Sequence, residues 1–365
     1  MIPIAKPVID EEEKSKVLEV LESGILAHGK VVEEFESKFA RFSGVQHAIA
    51  TNSGTSALHT ALAALGISPG DEVITTTFSF IASATCILMQ GATPVFCDVD
   101  AETYNITVDA IKKNITSKTK AIIPVHLYGQ TCDMGPILDL AHDHDLFVVE
   151  DACQAHGALY NNKPVGSLGQ MGAFSFYPTK NMTTGEGGIV TTNNEALAKK
   201  AGMFRNHGQS SRYMHEMLGY NYRMTNLSAA IGLAQLEKIN TANKKRRANA
   251  QLYNKGFEDI VGIHTPAEAD YAHHVYHQYT VEIEQEFPLS RDQVIEQLKT
   301  KGIGFGVYYH TPLHQQPLFT SLCKGKSFPV AEKKAKQVLS LPVHSAISKQ
   351  DITTVLEAFK AMSGA

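Results

Sequence analysis

The 365-residue sequence has no run of about 18 apolar residues, and Met1-Ile2-Pro3-Ile4 carries no basic segment leading into an apolar one. The expectation is a soluble, cytoplasmic protein with no membrane as partner. A long basic tract is also missing, and the net charge is −4. Nucleic acid is therefore not an expected partner. The nearest thing to a basic run, Lys244-Lys245-Arg246-Arg247, lies in a helix-like polar stretch and reads as a solvated face. The five cysteines, Cys86, Cys97, Cys132, Cys153 and Cys323, are odd in number and form no C-x-x-C pair. That fits a reducing compartment and argues against a disulfide framework or a zinc site. Internal repeats, low-complexity segments and flexible linkers are absent.

What the chain does have is 43% apolar residues, enough for a large core at this length. Two domains, or one with an appendage, are expected. After helices expected from Asp10 to Gly24 and Val31 to Phe42, short apolar strands alternate with helices. Strands are predicted at Glu72–Thr76, Pro94–Cys97, Ala121–Val125, Leu146–Glu150, Ala173–Phe176 and Gly188–Thr192. This rhythm implies an α/β fold with a mainly parallel central sheet covered on both faces. Such sheets gather ligands at the carboxyl ends of their strands. A long helix from Asn226 to about Phe257 reads as a connector. Beyond it, strands at His274–Ile283 and Gly304–Tyr309, with helices at Ser290–Lys301, Pro329–Val338 and Lys349–Met362, imply a small α+β C-terminal domain. The expected division is 1–240 for the large domain and 241–365 for the small one, with the N-terminal helices able to pack on the latter.

Three features carry chemistry together. Ser53-Gly54-Thr55-Ser56 opens a helix, where free N–H groups and hydroxyls suit a phosphate; ordinary N-capping is the alternative. Asp151, in Glu150-Asp151-Ala152-Cys153-Gln154, follows an apolar strand, where an acid could hold a protonated ring nitrogen or cap the next segment. Lys180 follows a strand and Pro178, ahead of the glycine-rich turn Thr183-Thr184-Gly185-Glu186-Gly187-Gly188. A phosphate cradle, a carboxylate for a pyridine nitrogen and an amine for an aldehyde are the needs of pyridoxal phosphate. His273, His274 and His277 do not read as a metal site, because neighbours on a strand face opposite ways and no carboxylate accompanies them.

The order and wording of these motifs resemble the DegT/DnrJ/EryC1/StrS family of sugar aminotransferases, which have the fold type I aminotransferase architecture. Further matching stretches are Pro124–Gln130, Arg205-Asn206-His207-Gly208, Gly219-Tyr220-Asn221-Tyr222-Arg223 and Tyr309-His310-Thr311-Pro312-Leu313-His314. The resemblance runs from Gly29 to about His344. It implies Lys180 as the residue that holds the cofactor as an internal aldimine and later moves the proton, with Asp151 on the ring nitrogen. It places Phe80 on the ring face, with Phe78 as the competing candidate, and Gln154 beside the ring oxygen. Ser53, Gly54, Thr55 and Ser175 would bind phosphate. Asn221 would reach the neighbouring subunit's cofactor, which implies a homodimer with shared active sites. Tyr309, His310 and Glu186 would face substrate.

The implied reaction is ping-pong transfer of an amino group from L-glutamate to a nucleotide-linked keto sugar. The Thr183–Gly188 wording favours C4 of a 4-keto-6-deoxy sugar, with C3 as the alternative. A dehydratase of the same fold would carry histidine at position 180, and a non-catalytic regulatory relative would be expected to lose Lys180 or Asp151.

Overall fold

The computed structural model describes residues 1–364. Two helices, α1 (Glu11–Ser23) and α2 (Lys30–Phe42), precede the large sheet. Its strands are β1 (His47–Thr51), β2 (Glu72–Thr76), β3 (Thr93–Cys97), β4 (Thr119–Ile123), β5 (Phe147–Asp151), β6 (Met171–Ser175) and β7 (Gly188–Thr192). They lie in the order β1-β7-β6-β5-β4-β2-β3. β7 runs antiparallel to both its neighbours, while the pairs from β6 to β3 are parallel. Helices α3 (Gly54–Leu65), α4 (Ala82–Met89), α5 (Val108–Lys112) and α6 (Met134–Asp143) lie between successive strands from β1 to β5. Mainly apolar, buried strands and covering helices follow from the parallel pairing, which leaves neither face to water.

Local sequence sets the ends of these elements. Ser53 caps α3 by accepting from the Ser56 N–H, and Ser56 Oγ returns the contact to the Ser53 N–H. Gly66, at φ 82°, ends the helix in the left-handed region. The run Ala57–Leu65, rich in alanine and leucine, is buried almost all round, so α3 lies close against the sheet. In α2, Phe35 and Phe39 share one face and meet Phe174 and Phe176 edge-on at 5.1 to 5.4 Å between ring centroids. All four rings are buried. Burying each is worth about 1.5–3 kcal/mol, and together they fix the strand end and turn that lead to Lys180.

After α7 (Glu195–Phe204), the 32-residue α8 (Asn226–Phe257) runs from one core to another. Its start packs Ala229, Leu233 and Ile239 with the phenylalanines above. Its end contributes Ala250, Tyr253 and Phe257 to a second core. That core lies on a three-stranded antiparallel sheet, β8 (Ile263–His264), β9 (Tyr279–Ile283) and β10 (Val338–Leu341). Helices α9 (Arg291–Thr300) and α11 (Lys349–Ser363) add Val294, Leu298, Val355 and Phe359, while α10 (Pro329–Gln337) leads directly into β10. The chain start joins this part: Ile2 bridges Ile303, with the Gly304 N–H donating to Ile2 O at 2.7 Å. α1 packs along α8, and Lys238 reaches Asp10 and Glu13 at 2.6 and 2.9 Å.

Three sequence expectations are corrected here. The strand foreseen over His274–Ile283 is regular only from Tyr279, because the Val275 and Gln278 N–H groups donate instead to Gly129 O and Tyr128 O. Gly304–Tyr309 is not a strand: Gly306 makes one bridge, to Ser340, and the two tyrosines then turn toward a cavity. Val338–Leu341 is a strand where none was foreseen, following the final turn of α10 without a break. Among the described residues no helix is long and apolar enough to cross a membrane.

Candidate active site

The carboxyl ends of β1, β2, β5 and β6 converge on a cavity of about 800 Å³. Ser53, Gly54, Thr55, Phe80, Asp151, Gln154, Ser175, Lys180, Glu186, Tyr309 and His310 all line it. These predicted site residues come from segments up to 257 positions apart, Ser53 and His310 being the extremes. Asn221 is not among them. It is exposed outside the cavity, bridged to Asn206, and its carbonyl accepts from Asn52 Nδ2 at 3.3 Å.

The acidic pair at the end of β5 divides by strand alternation. Glu150 is fully buried on the face away from the cavity. Its carboxylate accepts from the Gly166, Leu168 and Gly169 N–H groups at 2.7 to 2.8 Å, and His126 Nε2 lies 3.1 Å away. It fixes the loop between β5 and β6 and is fully occupied in doing so. Asp151 faces the cavity and is 4% exposed. Ser83 Oγ donates to its Oδ2 at 2.7 Å, and the Cys153 N–H donates to Oδ1 at 3.2 Å. Ser79 Oγ lies 2.9 Å from Ser83 Oγ, extending the chain of hydroxyls. Two donors from different segments thus hold the carboxylate in one orientation.

At the start of α3, the Ser56 and Ala57 N–H groups are met by Ser53. The Gly54 and Thr55 N–H groups, first in the helix, are left for a ligand. A Cβ on Gly54 would come 2.6 Å from Ser175 Cβ, so only glycine lets the helix start reach β6. Lys180 lies in the turn after β6, its N–H donating to Tyr177 O at 2.9 Å. Burial pushes its amine below the ordinary lysine value, opposed by the Asp151 carboxylate. A lysine amine held this way is more readily neutral, as a nucleophile or base must be.

The walls complete the site. Phe80 is 56% exposed and lies in the cavity, whereas Phe78 is wholly buried against Tyr104. Phe80 is therefore the ring free to cover a ligand. Gln154 accepts from the Tyr128 N–H at 2.9 Å and donates to Tyr309 Oη at 3.2 Å. Tyr128 Oη in turn donates to Tyr308 O. These bonds tie the Tyr308–His310 loop to the cavity mouth, where His310 Nδ1 lies 2.6 Å from Thr311 Oγ1. The structure adds residues that sequence reasoning missed: Ser79, Ser83, Tyr128, Cys153 and His277. Burial pushes the Cys153 thiol well up and the His277 imidazole well down, so both stay neutral beside Lys180. Ser79 and Ser83 had a legible signal, two hydroxyls four apart just past a strand end. His277 was weighed only as a metal ligand, and nothing local placed it beside Lys180. Among the described residues no group of three or more His, Cys, Asp or Glu is placed to share a metal.

The geometry fits pyridoxal phosphate: helix N–H groups for a phosphate, an oriented carboxylate, an exposed phenyl ring and a half-buried amine in one cavity. A model of the DegT/DnrJ/EryC1/StrS aminotransferase family matches residues 7–360. The GDP-perosamine synthase of Caulobacter vibrioides is 43% identical over 361 residues, covering 98% of this chain and 97% of its own. The UDP-N-acetyl-3-dehydro-α-D-glucosamine 3-aminotransferase of Acidithiobacillus ferrooxidans is 42% identical over 340 residues, covering 92% and 89%. A crystal structure of Streptomyces venezuelae DesV, in complex with a ketimine intermediate, matches with a TM-score of 0.93 at 37% identity, covering 97% and 95%. The architecture is that of fold type I aminotransferases, and this chain belongs to the DegT/DnrJ/EryC1/StrS aminotransferase family, as a transaminase dependent on pyridoxal phosphate.

Proposed function

We propose that the chain moves an amino group from L-glutamate to a nucleotide-linked keto sugar, at C4 of a 4-keto-6-deoxy ring. The observation that carries the transfer chemistry is the convergence of Lys180, Asp151 and the Ser53–Thr55 helix start on one cavity. Its volume of about 800 Å³ suits a small dicarboxylate and a large sugar nucleotide in turn.

Bound pyridoxal phosphate supplies a carbonyl carbon for the amine and a ring that takes up the electron pair when a C–H bond breaks. The chain's own residues do the rest. Gly54 and Thr55 N–H groups, with the Ser53 and Ser175 hydroxyls, bind the phosphate. Asp151, oriented by Ser83, holds a proton on the ring nitrogen. Phe80 covers the ring face and Gln154 sits beside its oxygen. Lys180 Nζ would hold the cofactor and, once released from it, would be the base that moves the proton at the substrate carbon. Tyr309, His310 and Glu186, at the mouth, contact the substrates.

The relatives divide on position: one is named for perosamine synthesis and the other for amination at C3. The Thr183–Gly188 wording favours C4. With L-glutamate as donor, a panel of 3-keto and 4-keto sugars on UDP, dTDP and GDP should give an amino product from 4-keto members, read by mass. Product from the 3-keto members alone would reverse the assignment of position, and no product from any would remove the sugar reading.

We also read the enzyme as a homodimer with shared sites, because Asn221 is exposed and stands outside its own cavity. Mixed Lys180→Ala and Asn221→Ala subunits should recover activity that neither variant has alone. No gain on mixing removes the shared site.

A further inference from the structure

Lys180 stands between two cavities. A second one, of about 310 Å³, opens behind it, walled by the N-terminal Lys6–Val8, the Pro178–Thr183 turn and the middle of α8. Thr179 and Lys180 line both. The basic run read as a solvated face is in part a wall of this cavity, and that expectation is corrected here: Arg246 is only 5% exposed.

Arg246 is the anomaly. Its guanidinium donates to Tyr276 O at 3.1 Å and His277 O at 3.3 Å. Among the described residues no carboxylate pairs with it, and its Nε is buried without a partner. Burial brings its pKa down to about 10, which still leaves it charged at neutral pH. Buried charges are normally paired, because an uncompensated one is costly. Asn181, also buried on this wall, donates from Nδ2 to Asn243 Oδ1 at 2.8 Å and Val275 O at 3.0 Å. Those bonds fix the amide, and Oδ1 is left with no partner.

The charges around them do not cancel. Lys238 is engaged by Asp10 and Glu13, and Glu237 lies 3.3 Å from Lys38. Lys6 and Lys245, both exposed on the same wall, have no acidic partner among the described residues. Arg246, Lys6 and Lys245 thus leave an excess of positive charge around the cavity, with the Arg246 Nε donor unpartnered beside it.

The geometry points to a binding site in this cavity for a small oxyanion, carboxylate or phosphate, held by Arg246, Lys6 and Lys245. It is separate from the helix start of α3, which lines the other cavity. Its occupant would rest against the back of the turn that carries Lys180.

The test is calorimetric titration of the holoenzyme, in which the cofactor's phosphate fills the α3 site, with inorganic phosphate and separately with succinate. One saturable site per chain is expected for at least one anion. The double variant Lys6→Ala/Lys245→Ala, altered only at exposed positions, should bind it at least about tenfold more weakly. Phosphate alone binding in this way assigns a phosphate ligand, and succinate alone a carboxylate. No saturable binding of either, or equal affinity in the double variant, overturns the site.

Discussion

Lys180→Ala is expected to lower kcat by about 10⁴-fold, the upper range for loss of a proton-transferring group. On the proposed reading two functions leave together: the amine that holds the cofactor and the base that moves the proton. Nothing nearby substitutes. Of its titratable neighbours, Asp151 is held by Ser83 and the Cys153 N–H, and burial holds Cys153 and His277 neutral and poorly basic or nucleophilic. Lys180→Arg should be equally inactive, since a guanidinium cannot be deprotonated to attack. The direct readout is borohydride reduction followed by peptide mapping. Wild type should carry the cofactor on the Lys180 peptide and the alanine variant on none. A label on any other lysine sinks the assignment, and so does an alanine variant with more than a small residue of turnover.

The sequence revealed those parts of the site that rest on local chemistry. A Ser-Gly-Thr-Ser helix start announces itself through capping and orphan N–H groups. Asp151 was legible because strand ends collect ligands in this sheet. Which acid of Glu150 and Asp151 faces the cavity follows from strand alternation once the register is known, and the register is a property of the sheet. Phe80 and Phe78 lie two apart and look alike in sequence; the long-range packing of Tyr104 decides which is free. Arg246 failed for the same reason. Its neighbours are polar, so its burial comes from the His274–Gln278 segment folding back onto Tyr128 and Gly129. That same folding broke the strand foreseen from His274. The β10 strand was missed because its first residue, Val338, read as the end of the helix and the three residues after it are too short a run to signal a strand.

Asp151→Asn should cost about 10²- to 10³-fold in kcat, the usual effect of removing one oriented electrostatic partner. The substitution keeps the shape but not the charge that, on the proposed reading, holds a proton on the ring nitrogen. It also meets the existing bonds badly. Ser83 Oγ and the Cys153 N–H both donate to the carboxylate, one to each oxygen. An amide can accept with only one end, so with its oxygen on the Cys153 N–H its NH₂ group faces Ser83 Oγ, which must give up donating and accept instead. The protein should still fold and bind cofactor, shown by circular dichroism and its visible absorbance, which separates this loss from misfolding. Ser83→Ala supplies the graded companion. It leaves Asp151 charged but removes the 2.7 Å donor that aims it, and should cost about three- to tenfold, the net worth of one ordinary hydrogen bond. The pH at which the visible band titrates should move in both variants, further in Asp151→Asn. Near-normal turnover in Asp151→Asn would remove the carboxylate from the ring nitrogen. An unchanged band in Ser83→Ala would show that the serine only packs. A loss in Ser83→Ala equal to that in Asp151→Asn would mean that orientation, and not the presence of charge alone, controls the electron sink.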